Sequence, residues 1–100
     1  MIIYNVTVNV DDSIHDEWLS WMRTVHINDV LNTGMFTNCR LCKILSDDDT
    51  GTTYSFQYTC DNMEKYEKYR DEFAPALREQ VTEKFGNKFV AFRTLLEVIE

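Results

Sequence analysis

The sequence predicts an α+β fold in which two helices cover one face of a four-stranded antiparallel sheet. Residues 2–10, 53–60 and 89–99 each alternate in character with a period of two, which is typical of β-strands. Two intervening segments place apolar side chains three and four positions apart, as amphipathic helices do. With one further strand over residues 36–46, the order is β-α-β-β-α-β. This is the ferredoxin-like arrangement, with strand order 4-1-3-2.

The two faces of the predicted sheet differ in composition. On the first and third strands the even-numbered positions are mostly apolar. The odd-numbered positions are mostly small, polar and uncharged; these are Asn5, Thr7, Asn9, Thr53, Ser55, Gln57 and Thr59. The same odd face is predicted to carry an apolar patch, which indicates association; it consists of Ile3, Phe89, Leu95 and Ile99. We therefore expect a homodimer that closes a dimeric α+β barrel through this face.

The first helix is predicted over residues 12–26. Asp11, Asp12 and Ser13 offer N-cap oxygens, and acidic side chains in the first turn suit the helix dipole. The apolar stripe of this helix consists of Ile14, Trp18, Trp21, Met22 and Val25. Residues 27–32 can add a turn or two before Gly34, which adopts positive φ readily and stops the helix.

The second half of the chain is predicted to repeat the pattern of strand, helix and strand. Residues 47–51 form a hairpin connection, in which Gly51 is free to adopt positive φ. The second helix begins after Asp61 or Asn62. Pro75 either kinks this helix or starts a second consecutive helix, because it lacks a backbone N–H. Gly86 ends the helical segment before the last strand.

Length and charge limit the classes of function. One hundred residues make a single domain, which spans residues 1–100. A net charge of −7 repels phosphate backbones and anionic lipid head groups, so no nucleic-acid or membrane partner is expected. Three cysteines, an odd number, and an N-terminal segment without a secretory signal pattern predict a cytoplasmic protein.

Two segments resemble a known superfamily. The run WLSWMRTVHI over residues 18–27 and the run FGNKFVAFRTLLEV over residues 85–98 resemble passages of the dimeric α+β barrels. Over its whole length, the chain most closely resembles a family of short bacterial proteins known only as a domain of unknown function. A more distant similarity is to the EthD-like and antibiotic-biosynthesis monooxygenase-like groups. In those groups a tryptophan and a later histidine flank the end of the first helix, as Trp21 and His26 do here.

The resemblance implies a homodimer whose two sheets close a barrel, sometimes with a ligand cavity under the helices. Some members of these groups oxidise aromatic substrates without metal or cofactor, and others degrade haem. The EthD pattern often has a proline after the histidine, whereas this sequence has Ile27. No catalytic residue is therefore carried over from the resemblance.

Aromatic side chains beside one titratable group form the candidate ligand site. Trp18, Trp21 and Tyr58 offer enough aromatic surface to hold a planar molecule, and His26 titrates near neutrality. As a functional group, His26 contacts a ligand or acts as a general base. As a structural group, it caps the last carbonyls of the helix and interacts with the helix dipole. The sequence leaves both interpretations open.

Arg40 and Arg93 are candidate ligand-binding residues because they lie within predicted strands. A strand-borne arginine on a covered face needs a carboxylate, a carbonyl or an anionic ligand. Arg93 shares its face with Glu97, two residues along the same strand. A structural ion pair across the dimer is therefore the first expectation for Arg93, and an anion site is the second.

No metal or cofactor is expected. Cys39 and Cys42 spell C-x-x-C, but strand alternation places their thiols on opposite faces. Residues 47–51 lack the flanking helices and the twelfth-position glutamate of a calcium loop. His15 is expected to be solvated, which leaves His26 alone as an axial haem ligand. We therefore expect the purified protein to carry no stoichiometric metal or haem.

These patterns favour a small-ligand-binding or interaction protein without an assigned reaction, whose ligand is small and apolar or aromatic. The first alternative is a cofactor-independent monooxygenase-type enzyme that acts on a small aromatic substrate. The second alternative is a purely structural or regulatory dimer that binds another protein. No set of nucleophile, base and orienting group stands out in the sequence, so enzymatic activity is not the preferred interpretation.

Overall fold

The computed structural model describes residues 1–45 and 50–100, and these contain the predicted four-stranded antiparallel sheet. The strands are β1 (Ile2–Val10), β2 (Asn38–Lys43), β3 (Thr52–Cys60) and β4 (Phe89–Glu97). Their spatial order is β2-β3-β1-β4, which is the predicted order 4-1-3-2 read from the other edge. The second strand is shorter than predicted, and residues 47–49 of the predicted hairpin lie outside the described residues.

The first helical run is longer and less regular than predicted. It consists of a 3-10 turn (Asp12–Ile14), α1 (His15–Trp21), a π-helical turn (Met22–His26) and α2 (Ile27–Leu31). In the π turn, the Ile27 backbone N–H donates to the carbonyl of Met22, five residues earlier. The run ends before Gly34, whose φ of 80° confirms the predicted left-handed stop.

The second helical segment is divided in two at Phe73, as one of the two interpretations of Pro75 predicted. Its helices are α3 (Met63–Glu72) and α4 (Ala74–Phe85). Pro75 lies in the first turn of α4, where its missing N–H removes no helical hydrogen bond. Asn62 is the N-cap of α3, because its Oδ1 accepts a hydrogen bond of 3.0 Å from the Lys65 backbone N–H.

The helices pack on one face of the sheet, which we call the helix face. The face bears the even-numbered side chains of β1 and β3, and the buried core forms there. The core consists of Ile2, Tyr4, Val8, Val10, Trp18, Met22, Val30, Phe36, Tyr54, Phe56, Tyr58, Cys60, Tyr66, Tyr69, Ala74, Val81 and Phe85. Tyr4 lies centrally among its aromatic rings, within 6.1 Å of the centroids of Phe36, Tyr58, Tyr66 and Tyr69. Aromatic burial on this scale supplies most of the apolar contact that holds helices to sheet.

The opposite face, which no helix covers, is called the open face. On β1 and β3 it bears the uncharged polar side chains that the sequence indicated. Some of these residues hydrogen-bond to one another: Ser55 Oγ donates to Asn5 Oδ1, and Asn5 Nδ2 donates to Thr7 Oγ1 at 3.1 Å. Gln57 Nε2 donates to Ser55 Oγ at 3.2 Å. Because these groups satisfy one another, the face needs few water molecules to solvate it.

The predicted orientation of β4 is wrong. Phe89 pairs with Val10 and Leu95 pairs with Tyr4, so both side chains lie on the helix face and not in the expected apolar patch. The open face instead carries Val90, Phe92 and Leu96, of which Val90 is 68% and Phe92 is 62% exposed. An apolar patch therefore exists on the open face, as expected. Ile3 lies there as predicted, because it pairs with Thr59 and Leu96, but Val90, Phe92 and Leu96 replace the expected Phe89 and Leu95.

Gly51 shows how the start of β3 is fixed against β1. Its φ is 80°, as predicted for this position. A Cβ atom there would lie 2.5 Å from the Val10 carbonyl oxygen, so only glycine allows the two chains to approach this closely. Among residues 1–45 and 50–100, no helix is both long and apolar enough to cross a membrane.

Candidate functional site

Two adjoining cavities lie between the helices and the helix face of the sheet. They share six lining residues: Val6, Val8, Met22, His26, Arg78 and Arg93. The tryptophan-side cavity, of about 80 Å³, is completed by Trp18, Val81, Thr82, Phe89 and Ala91. The tyrosine-side cavity, of about 40 Å³, is completed by Tyr4, Val30, Phe56, Tyr58, Tyr69 and Leu77. The predicted site residues His26, Trp18, Tyr58 and Arg93 are thus brought to one place.

The π-helical turn places His26 at these cavities. A π turn contains more residues than the 3.6 of an α-helical turn. After Met22, the next side chain that points toward the sheet is therefore one position later in the sequence than α-helical spacing predicts. His26 consequently takes the inward position that α-helical spacing assigned to Val25. Val25 is 37% exposed, and its predicted place in the apolar stripe is wrong.

The helical run continues through Leu31, so His26 lies inside it and not at its C-terminal end. The capping interpretation of His26 therefore loses its basis. The imidazole stacks on the Trp21 ring, with 5.8 Å between centroids and 27° between planes. Trp21 does not line either cavity, and its contact with the site is this stacking on the His26 ring.

Burial makes His26 a neutral group. Desolvation lowers its pKa, the Asp29 carboxylate opposes the shift and the Arg93 charge adds to it, so that the pKa is about 4. The buried Nδ1 atom has no hydrogen-bond partner among the described residues. A neutral imidazole nitrogen buried without a partner is costly in free energy, and a ligand group that hydrogen-bonds to it would remove that cost.

Trp18 presents a second buried polar atom at the tryptophan-side cavity. Its side chain is 0% exposed and packs edge-on against Phe56, with 5.8 Å between ring centroids. The indole Nε1–H has no acceptor within the part of the chain that the structure describes. Because an indole nitrogen only donates, the missing partner is an acceptor atom.

Two arginines converge on one tyrosine hydroxyl between the cavities. Arg93 Nε donates to Tyr4 Oη at 3.1 Å, and Arg78 Nη2 donates to the same oxygen at 3.2 Å. Within residues 1–45 and 50–100 of one chain, Arg93 forms no ion pair, and the ion pair expected across the dimer stays a prediction. The contact of Arg93 is a buried phenol that carries no charge.

Arg40 lies apart from the cavities. It pairs with Gln57, whose side chain points to the open face, so the sheet separates Arg40 from His26. The sequence did not indicate Arg78 and Tyr4 as site residues. Arg78 looks like an ordinary exposed residue of an amphipathic helix, and Tyr4 looks like an ordinary core aromatic. Only the packing of α4 over β1 brings the two together.

The remaining candidate groups lie elsewhere. Cys39 and Cys42 point to opposite faces of β2, as predicted, and burial raises the pKa of the Cys39 thiol to about 11. His15 is not solvated as expected, because its Nε2 hydrogen-bonds to Tyr54 Oη at 2.7 Å and its Nδ1 to Asp16 at 2.8 Å. No three His, Cys, Asp or Glu side chains of the described residues are grouped closely enough to hold a metal ion.

The depressed pKa of His26 predicts a specific loss of stability in acid. The folded protein disfavours protonation that the unfolded chain accepts near its ordinary pKa of 6.5. The stabilisation is therefore complete above that value and is lost as the pH falls towards 4. From pH 7 to pH 5, we expect the unfolding free energy of wild type to fall by roughly 2 kcal/mol relative to that of His26→Gln. Urea unfolding at each pH measures it, and a difference that does not change with pH would contradict the burial of a neutral imidazole.

Comparison with known proteins places the chain in a family. No curated protein matches it at a significant level. Among solved structures, a putative antibiotic biosynthesis monooxygenase from Nitrosomonas europaea superposes with a TM-score of 0.70 at 8% identity, over 100% of both chains. An EthD family protein from Bacillus halodurans C-125 superposes with a TM-score of 0.68 at 9% identity, over 99% of this chain and 100% of the other.

A dimeric ferredoxin-like protein from an uncultured marine organism superposes with a TM-score of 0.69 at 15% identity, over 100% of this chain and 96% of the other. At such identities these similarities show the fold alone, which is the ferredoxin-like fold. The model of a domain-of-unknown-function family, DUF4286, matches residues 1–99. The chain therefore belongs to the DUF4286 family.

Proposed function

We propose that the protein binds a small, planar, largely apolar molecule in the two adjoining cavities beside His26. The observation that carries this proposal is that two residues lining one cavity, Trp18 and His26, each have a buried polar atom without a hydrogen-bond partner among the described residues. Buried polar groups in folded proteins are nearly always hydrogen-bonded, and exceptions concentrate where a ligand or water completes the site. Most of the remaining lining residues are apolar, as in most small-molecule sites, and the polar ones are Arg78, Thr82 and Arg93.

The cavity size limits the ligand to about one aromatic ring. The tryptophan-side cavity is about 80 Å³ and the tyrosine-side cavity is about 40 Å³. A dry cavity of roughly 150 Å³ in another protein holds benzene, so the two cavities together are close to the space that a single ring needs. Met22 lines both cavities, and its flexible side chain can adjust to the ligand.

Binding is better supported than catalysis. A general base works best when its pKa is close to the operating pH, whereas the pKa of His26 is about 4. The imidazole is thus a weak base that suits hydrogen bonding more than proton abstraction. Three exposed apolar residues, Val90, Phe92 and Leu96, share the open face, whereas the exposed large apolar residues of the described helices are Val25 and Met63. This distribution disfavours a partner protein bound to the helical layer.

The functional unit in this proposal is a homodimer formed through the open face. Phe92 and Val90 leave a contiguous apolar surface there, beside a depression of about 470 Å³ lined also by Thr7, Asn9, Ile44, Thr50 and Thr53. The similar protein from an uncultured marine organism is described as dimeric. All three cysteines are free thiols, which supports a cytoplasmic location that cell fractionation can test.

Filling the cavity should abolish binding of a neutral aromatic probe. Benzyl alcohol is expected to bind with millimolar affinity and to shift the NMR signal of the Trp18 indole N–H. Val81→Phe places a ring in the tryptophan-side cavity and should weaken binding by at least about tenfold. The matched control is Val25→Phe, the same substitution at an exposed position that lines neither cavity.

Circular dichroism of both variants shows whether they fold. The proposal fails if benzyl alcohol perturbs NMR signals of the wild type only at residues distant from Trp18 and leaves the Trp18 indole signal unchanged. It also fails if a folded Val81→Phe variant binds the probe as well as the Val25→Phe variant does.

A charge on the open face should dissociate the dimer. We expect wild type to sediment as a dimer at micromolar concentration, and Phe92→Glu to weaken association by at least about a hundredfold, because it buries an unpaired charge in the interface. Met63→Glu, at an exposed apolar residue of α3, is the control and should leave the dimer intact. A monomeric wild type, or a Phe92→Glu variant that remains dimeric, would contradict the proposed interface.

A further inference from the structure

We propose that Arg78, Arg93 and Tyr4 form an anion-recognition site at the cavity, which selects aromatic ligands that bear a carboxylate or an equivalent acidic group. This inference rests on the proposed ligand-binding function of the cavity and adds the charge of the ligand to it. The site is built from three elements, because Tyr4 lies on β1, Arg78 on α4 and Arg93 on β4.

Two like charges meet at one oxygen atom of this site. Both guanidinium groups donate to the same phenol oxygen, at 3.1 Å for Arg93 and 3.2 Å for Arg78. Two cations held at one neutral acceptor repel each other, and because both arginines are exposed, solvent screens part of this repulsion. An arrangement of this kind is stabilised when an anion joins the two cations.

Among the described residues, the two arginines have no carboxylate partner. In the described segments, residues 1–45 and 50–100, neither arginine forms an ion pair with a carboxylate, although acidic residues outnumber basic ones by 17 to 10 in the chain. Each guanidinium carries five N–H donors in a planar fork, and the bonds to Tyr4 occupy only one donor of each arginine. The free donors match the two oxygens of a carboxylate.

The polarity of the wall around the arginines points to the same kind of ligand. The cavity that both arginines line is also lined by Trp18, whose buried indole Nε1–H has no acceptor among the described residues. The two guanidinium groups offer only donors, whereas the neutral His26 can donate or accept. A ligand rich in acceptor oxygens complements this wall, whereas an amine or a cation would meet the two arginines.

The position of the arginines orients the ligand. Both side chains are exposed in part, so they lie where the cavity meets solvent, while Trp18, Met22 and Val81 form its buried apolar wall. The acidic group of the ligand would face the arginines, and its ring would lie against Trp18. Tyr4 acts as a positioning residue, because its buried hydroxyl holds both forks in place without carrying charge.

Benzoate and benzyl alcohol form a matched pair of probes for this inference, because they differ mainly in charge. We expect wild type to bind benzoate about tenfold more tightly than benzyl alcohol. Arg78→Gln and Arg93→Gln should each remove most of this preference, because each weakens the binding of benzoate more than the binding of benzyl alcohol. Arg93→Lys keeps the charge but loses the planar fork, so it should recover only part of the preference.

Tyr4→Phe tests the positioning role. It should weaken benzoate binding several-fold, with little effect on benzyl alcohol, since it removes only the oxygen that aligns the two forks. Arg40→Gln is the matched control, because it removes an arginine from the open face, away from the cavity. NMR titration measures both affinities in each variant and shows that each variant is folded.

The outcomes separate this inference from the proposed function. If benzyl alcohol binds beside Trp18 but benzoate binds no more tightly, the anion site is overturned and the ligand cavity stands. If Arg40→Gln weakens benzoate as much as Arg93→Gln does, the anion binds elsewhere and the inference is also overturned. If neither probe binds, the proposed function fails and the anion site fails with it.

Discussion

The pairing register of β4 against β1 determines what each face of this protein can do. Val6 pairs with Arg93 and Thr7 with Phe92, so an arginine enters the space under the helices while an aromatic ring faces away from them. Side chains alternate along a strand, and a shift of one residue would exchange these two faces completely. The register is held at both ends of the pair: Asp11 N–H donates to the Lys88 carbonyl at 2.9 Å, and Val98 N–H donates to the Met1 carbonyl at 3.0 Å.

The π-helical turn is the second local feature on which the site depends. It turns His26 inward and Val25 outward within a helical run that is otherwise conventional. The inward imidazole is buried, neutral and supported by Trp21, but its Nδ1 has no partner in the described parts of the chain. A fold selected for stability alone would have little reason to keep such a group, since an apolar residue of similar size would avoid the cost. The same reasoning applies to the Trp18 indole N–H.

Much of the fold was predictable because local chemistry decides it. Alternation identified β1 and β3, the cap at Asn62 and the stop at Gly34 are local signals, and Pro75 placed the division between α3 and α4. The orientation of β4 was not predictable in this way. Both of its faces carry large apolar residues, so hydrophobic alternation does not distinguish them, and the pairing with β1 decides instead.

The candidate site was predictable only in part, for the same kind of reason. Trp18 and His26 stood out by residue type, but the path by which His26 reaches the cavity depends on a π turn that leaves no periodic signal. Arg78 is an exposed helical residue by its spacing, and its contact with Tyr4 joins positions 74 residues apart in the chain. Arg40 and Arg93 looked equivalent in sequence, yet strand pairing places them on opposite faces of the sheet.

The measurement that tests the account most directly is the register of β4 in solution. Cross-strand NOEs in a labelled sample report which backbone protons lie opposite each other in adjacent antiparallel strands. The structure predicts contacts that pair Val6 with Arg93 and Thr7 with Phe92. Contacts that pair Val6 with Phe92 or with Thr94 would show a register shifted by one residue. That result would move Arg93 to the open face and would contradict the account of the cavity and of the interface together.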